Sequence, residues 1–136
     1  MSQENVEVVR QALEAWQRDD FEAFLLRTHP EIEWQAVLQR LVEGPASTYH
    51  GHEGMRRVWD DYRTDFEGFE AEAEEIRDVG DDRVVLLGRI RFRGPASGVE
   101  TESPFAAVQT IRDGKIFRSI DYLSHAEALK AVGLEE

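Results

Sequence analysis

Asp121 is the residue best placed to move a proton. It stands in Phe117-Arg118-Ser119-Ile120-Asp121-Tyr122, between apolar neighbours. A carboxylate held against an apolar wall loses hydration. Its pKa then rises toward that of a general base, the group that proton abstraction beside a carbonyl needs. The competing reading is an edge carboxylate paired with Arg118 or with an arginine of the neighbouring strand. Trp16, Trp34, Trp59, Ile90, Phe92, Phe105 and Tyr122 are candidate walls of a pocket for a flat hydrophobic ligand. For each of them the competing reading is ordinary core packing, since aromatics at helix or strand period are mostly interior.

Other groupings carry weaker chemistry. Arg89, Arg91 and Arg93 form a basic stripe at strand spacing that fits a carboxylate or phosphate. Cross-strand pairing with Glu100 and Glu102, or a face meeting a partner subunit, explains them equally well. His50, His52 and Glu53 invite a metal reading, but a helix starts there and no further clustered ligand accompanies them, so no metal is expected. His29 and His125 flank expected helix boundaries, where capping or solvent contact suffices. Ser47 and Ser97 lack a nucleophile-elbow context. No glycine-rich nucleotide motif occurs.

Composition narrows the class. The chain has 136 residues, enough for one domain, 1–136, and too few for two ordinary ones. Its net charge of −12 opposes binding to nucleic acid and to anionic membrane surfaces. The absence of cysteine excludes disulfides, thiolate metal sites and a cysteine nucleophile. No apolar run approaches a bilayer span, and the first residues lack a signal-peptide stretch, so a cytoplasmic location is expected.

The elements that must position these residues follow from periodicity. Val6, Val9, Leu13 and Trp16 share one helix face. Asp19 is expected to cap a second short helix with Glu22 as its capping-box partner and Phe21, Phe24 and Leu25 as its apolar face. His29-Pro30 is expected to end it. Glu31 to Ala36 alternates as a half-buried strand. A third helix starts near Gly51-His52 and carries Met55, Val58, Trp59, Tyr62 and Phe66. The second half changes period, with strands at Phe69–Val79, Val84–Arg93, Phe105–Ile111 and Ile116–Leu123. In Val84–Arg93, alternation sets Ile90 and Phe92 against Arg89, Arg91 and Arg93. Asp113-Gly114 is a type I′ hairpin signal. Ser124 and Glu127 form a capping box for a final helix, which Gly133 and Leu134 close. Residues 43–47 and 94–98 read as loops from their Gly, Pro and Ser content. Helices early and antiparallel strands late indicate an α+β domain, a curved sheet wrapped around the N-terminal helices.

That order resembles the nuclear transport factor 2-like superfamily, and within it the SnoaL-like, ketosteroid isomerase-like branch. The likeness rests on Tyr49-His50-Gly51-His52-Glu53-Gly54-Met55 entering the third helix. It also rests on the hairpin Val108 to Ile116, and on the closing strand and Ala-Leu-x-x-x-Gly-Leu helix of Asp121 to Leu134. The resemblance implies a cone-shaped, cystatin-like barrel with an apolar cavity, and a homodimer. It implies function less sharply, because the fold hosts isomerases, cyclases, dehydratases, epoxide hydrolases and binding domains. Where ketosteroid isomerases place an Asp base, this chain has Trp34. Where they place a protonated Asp, Pro104 to Val108 has none. The Asp-Tyr stretch of limonene epoxide hydrolases matches Asp121-Tyr122, but their Arg-x-Asp is replaced by Arg89-Ile90-Arg91. SnoaL-type cyclases also use an Asp base, which leaves Asp121 as the position where likeness and chemistry agree.

The leading expectation is a cofactor-free isomerase, cyclase or hydrolase acting on a hydrophobic small molecule by proton transfer at Asp121. A non-catalytic module that binds such a ligand is the first rival. A protein-interaction dimer with a filled interior is the second.

Overall fold

The computed structural model describes residues 2–36, 47–94 and 98–134. Its elements are α1 (Ser2–Gln17), α2 (Phe21–Leu26), β1 (Thr28–Ala36), β2 (Ser47–His50), α3 (Gly51–Asp65), β3 (Glu67–Gly80), β4 (Arg83–Arg93), β5 (Glu100–Arg112), β6 (Lys115–Tyr122) and α4 (His125–Ala131). The expected loop at 43–46 and the middle of the one at 94–98 lie outside the described residues, while Ser47 opens β2.

The six strands form one sheet in the order β2-β1-β6-β5-β4-β3. All neighbours are antiparallel except β1 and β6, which run parallel. The domain is α+β, as the order of elements indicates. Helices α1, α2 and α3 fill the inner face of the sheet. Val9, Ala12, Ala15 and Trp16 of α1 and Met55, Val58, Trp59 and Tyr62 of α3 pack there against Ile32, Val84, Leu86, Ile90, Ala107 and Ile111. A smaller cluster lies on the outer face, where Ala128 and Leu129 of α4 cover Val85, Leu87, Ala106 and Val108. The first half of β4 is therefore buried on both faces, which explains its unbroken run Val84-Val85-Leu86-Leu87.

Several local expectations hold in detail. Asp113 and Gly114 both take positive φ, 55° and 72°, as a type I′ turn demands. Ser124 Oγ accepts from Glu127 N at 3.2 Å and caps α4. Leu134 N donates to Leu129 O at 2.8 Å past Gly133, whose φ is +81°.

Others are corrected. Asp20, not Asp19, caps α2, its Oδ1 accepting from Ala23 N at 3.1 Å. Asp19 turns into the left-handed region, with φ of 59°. Its carboxylate receives Trp59 Nε1 at 3.0 Å and ion-pairs with Arg63 at 2.7 Å. Helix α2 stops at Leu26, before His29-Pro30, because those residues already belong to β1. Strand β2 was not expected. It is four residues long and pairs with β1 from Glu33↔His50 to Ala36↔Ser47.

One irregularity positions the site. Strand β6 pairs Ile116 with Ile111 and Arg118 with Thr110, so Phe117 is an extra residue, a β-bulge. Ile116 lies in the inner core. Strict alternation from Ile116 would turn Arg118, Ile120 and Tyr122 inward. The bulge shifts the phase, and Ser119 and Asp121 are the buried ones instead.

Candidate functional site: a buried carboxyl in an aromatic cleft

Asp121 is only 5% exposed. It faces inward opposite Ala107, on an interior strand flanked by β1 and β5. Trp34 reaches it from β1 and donates Nε1–H to Asp121 Oδ2 at 2.8 Å. Among the described residues no cation pairs with it. Arg118, the partner considered from sequence, is exposed and ion-pairs with Glu33 at 3.7 Å. Burial therefore dominates and pushes the Asp121 carboxyl up to about 8. The Trp34 hydrogen bond opposes that rise by favouring the charged form, with the smaller effect. At neutral pH the carboxyl keeps its proton. Trp34 occupies Oδ2, which leaves Oδ1 to carry it.

The cavity over Asp121 is apolar and measures about 70 Å³. Its lining comes from α1, α2, α3 and five strands: Leu13, Trp16, Phe24, Trp34, Tyr62, Phe69, Phe105 and Gln109 among them. Trp16 is the hub of the aromatic wall. Its ring stands edge-on to Trp34 at 5.7 Å, to Tyr62 at 5.6 Å and to Phe69 at 6.1 Å. A pocket that encloses a drug-sized ligand has about 300–1,000 Å³. At about 70 Å³ this one is smaller than such a pocket. A larger groove of about 270 Å³ lies where the end of α1 meets β3 and β4, and Trp16, Phe69 and Ala71 line both spaces.

Of the residues singled out from sequence, Trp16, Trp34, Phe105 and Asp121 line one cavity. Four stand elsewhere. Trp59 sits behind Trp16, at 4.9 Å, wedged against Phe21 and held by Asp19. Ile90 lines the outer groove. Phe92 packs between Phe66 and Phe69. Tyr122 faces the opposite side of the sheet, beside the cluster under α4, because adjacent strand residues alternate. Burial and the negative charge of Glu127 raise its hydroxyl pKa.

Several of the remaining candidates have structural partners. Arg89 and Arg91 pair across the sheet with Glu102, at 3.2 and 3.7 Å, and Arg91 also meets Glu70 at 3.2 Å. His52 Nε2 lies 3.0 Å from Thr28 O, and His50 lies 3.8 Å from Glu33. His125 Nε2 reaches Gly88 O at 2.8 Å. Among the described residues no three His, Cys, Asp or Glu side chains cluster as metal ligands. No helix there is long and apolar enough to cross a membrane.

Gln109 was missed, although a signal existed. Strand alternation from Phe105 through Ala107 puts Gln109 on the inner face, and a polar residue at an inward position calls for an explanation. Phe69 and Tyr62 were also missed as walls. They come from elements whose approach to Asp121 depends on tertiary packing.

The model of the SnoaL-like domain matches residues 9–119. The chain belongs to the SnoaL-like domain family. Among solved structures it is similar to a nuclear transport factor 2-like protein of unknown function from Burkholderia pseudomallei. The identity is 23% over 98% of this chain and 99% of that one, with a TM-score of 0.79. It is similar to TerC, co-crystallised with polyporic acid, at 24% identity over 95% and 98% of the two chains and a TM-score of 0.78. It is also similar to an epoxide hydrolase of the limonene epoxide hydrolase-like kind from M. tuberculosis, at 17% identity over 96% and 90%, with a TM-score of 0.71. At these identities the likeness shows the fold alone. No curated protein matches the sequence.

Proposed function

We propose that this SnoaL-like domain binds a hydrophobic small molecule in the aromatic cleft and moves a proton there through Asp121. It would work in the manner of a cofactor-free isomerase, cyclase or hydrolase. The observation that carries this reading is a buried carboxyl set among aromatic walls that, among the described residues, has no cation partner and is held by Trp34. A pKa of about 8 lies near working pH, which suits a group that must both give and take a proton. Asp121 Oδ1 gives its proton to a carbonyl or leaving oxygen. The carboxylate left behind is steadied by Trp34 Nε1–H. Poorly solvated, it takes a proton back from carbon or from an attacking water. Exclusion of water and positioning supply the rest of the rate. That TerC, a protein of the same fold, was co-crystallised with polyporic acid supports a small-molecule role for the domain.

A specific observation favours a second reading. Asp121 is the one carboxyl lining the cleft among the described residues. A binding module needs the cavity but no second acid. The homodimer rests on family likeness; sedimentation velocity at micromolar concentration tests it, a species of twice the 15.6 kDa chain being expected.

The test is a thermal-shift screen of wild type and Asp121→Asn against steroids, polyketide-like aromatics, terpenes, small epoxides and polyporic acid. Ligands of the native state raise the melting temperature. Hits shared by both proteins are expected, with turnover in wild type falling about 10²–10⁴-fold in Asp121→Asn. Equal hits without turnover in either would leave the binding module. No hit from any class would turn the reading toward protein interaction.

A further inference from the structure

Gln109 is a polar residue of the cleft that proton transfer at Asp121 leaves unused. It shares the inner face of the sheet with Asp121, two pairs along: Ala107 pairs with Asp121, and Gln109 with Ser119. Its Nε2 donates to Ser119 Oγ at 3.0 Å. Its Oε1 is buried and meets no donor among the described residues. A buried acceptor left without a donor carries its full desolvation cost, so a site that keeps one gains on receiving a ligand that supplies the donor. Diagonal neighbours on one sheet face stand about 7–8 Å apart at the backbone, which puts both side-chain ends within reach of one small polar group.

The two groups ask for opposite things. Gln109 Oε1 can only accept. Asp121, with Oδ2 held by Trp34 and no cation beside it among the described residues, offers its proton from Oδ1. Resting on the cleft reading above, we propose that Gln109 and Asp121 form an acceptor–donor pair that selects apolar molecules bearing a hydroxyl next to a carbonyl. Gln109 Oε1 accepts from the ligand hydroxyl, and Asp121 Oδ1–H donates to the ligand carbonyl. A simple ketone leaves Gln109 unmet, and an ionised carboxylate offers it no donor. The cavity of about 70 Å³ takes this polar end. The apolar body lies along Trp16 and Phe69 toward the outer groove that they also line.

The test is titration calorimetry at neutral pH with three matched probes: 2-hydroxy-1-phenylethanone, its methyl ether, and acetophenone. Wild type is expected to bind the hydroxy ketone about tenfold or more tighter than the other two. Gln109→Met, close in volume but lacking the amide acceptor, is expected to erase that difference. Equal wild-type affinities for the three probes would overturn the pairing and leave the cleft reading standing, and that comparison needs no variant to fold. Failure of wild type to bind the hydroxy ketone would also overturn the pairing. The cleft reading then stands or falls separately, on whether the larger aromatic panel shifts the melting temperature.

Discussion

At pH 7 a carboxyl that titrates near 8 carries its proton, so Asp121 rests as a neutral acid and the site holds no net charge of its own. The consequence for stability follows from linkage. Between the ordinary aspartate value of 3.8 and about 8, the folded chain holds a proton at Asp121 that the unfolded chain has released. Stability from this group is full below 3.8, falls as pH rises through that window, and levels off above about 8. Asp121→Asn removes the slope. Urea unfolding of both proteins at the two ends of the window is expected to show the Asn variant gaining on wild type at high pH. The gain should exceed about 1.4 kcal/mol, the equivalent of one pKa unit. Trp34→Phe deletes the donor that favours the charged form. It is expected to raise the Asp121 midpoint further and to cost about 1–3 kcal/mol, read by carboxyl titration and by unfolding. Asp121 was legible as a candidate because its type and apolar flanks announce desolvation. Its partner was not. Nothing in the words around Trp34 says that β1 lies parallel to β6, which is what brings the indole to the carboxyl.

At the scale of elements, position is set by irregularities rather than by regular strands. The bulge at Phe117 decides that Asp121 and not Tyr122 faces the helices. A second irregularity lies between β3 and β4, where the register shifts between Ala73 and Glu75. There a Cβ on Gly88 would stand 2.0 Å from Glu72 O, so the strands close only over a glycine. Gly88→Ala is expected to cost about 1–3 kcal/mol or more, measured by denaturant unfolding, because backbone must move to admit the methyl. Ser124→Ala is expected to cost about 1 kcal/mol by removing the cap of α4. The helices, the long strands and the Asp113-Gly114 hairpin were legible from periodicity and turn chemistry. The bulges were not, since Phe117 and Glu74 carry no turn signature. Strand β2 escaped because four residues are too few to show a period. The turn at Asp81-Asp82, with φ of 56° and 59°, was missed because it takes a hairpin conformation without glycine.

The whole molecule adds its charge. With 28 acidic against 16 basic residues, self-repulsion opposes the compact state. Raising ionic strength to about 0.15 M, where the screening length is about 8 Å, is expected to raise the melting temperature. A fall would mean that cross-strand pairs such as Arg91 with Glu70 and Glu102 outweigh the repulsion. The fold was legible at this scale through the order of elements and the likeness of three stretches to a known family. The interior volume was not, because how closely Trp16, Trp34, Tyr62 and Phe69 approach is fixed by tertiary packing and has no sequence period. The most direct test of the account is the protonation of Asp121 itself, followed by the ¹³C shift of its carboxyl in aspartate-labelled protein and assigned by its loss in Asp121→Asn. A midpoint of about 8 is predicted; a midpoint near the ordinary 3.8 would contradict the buried, neutral acid on which the proposed chemistry depends.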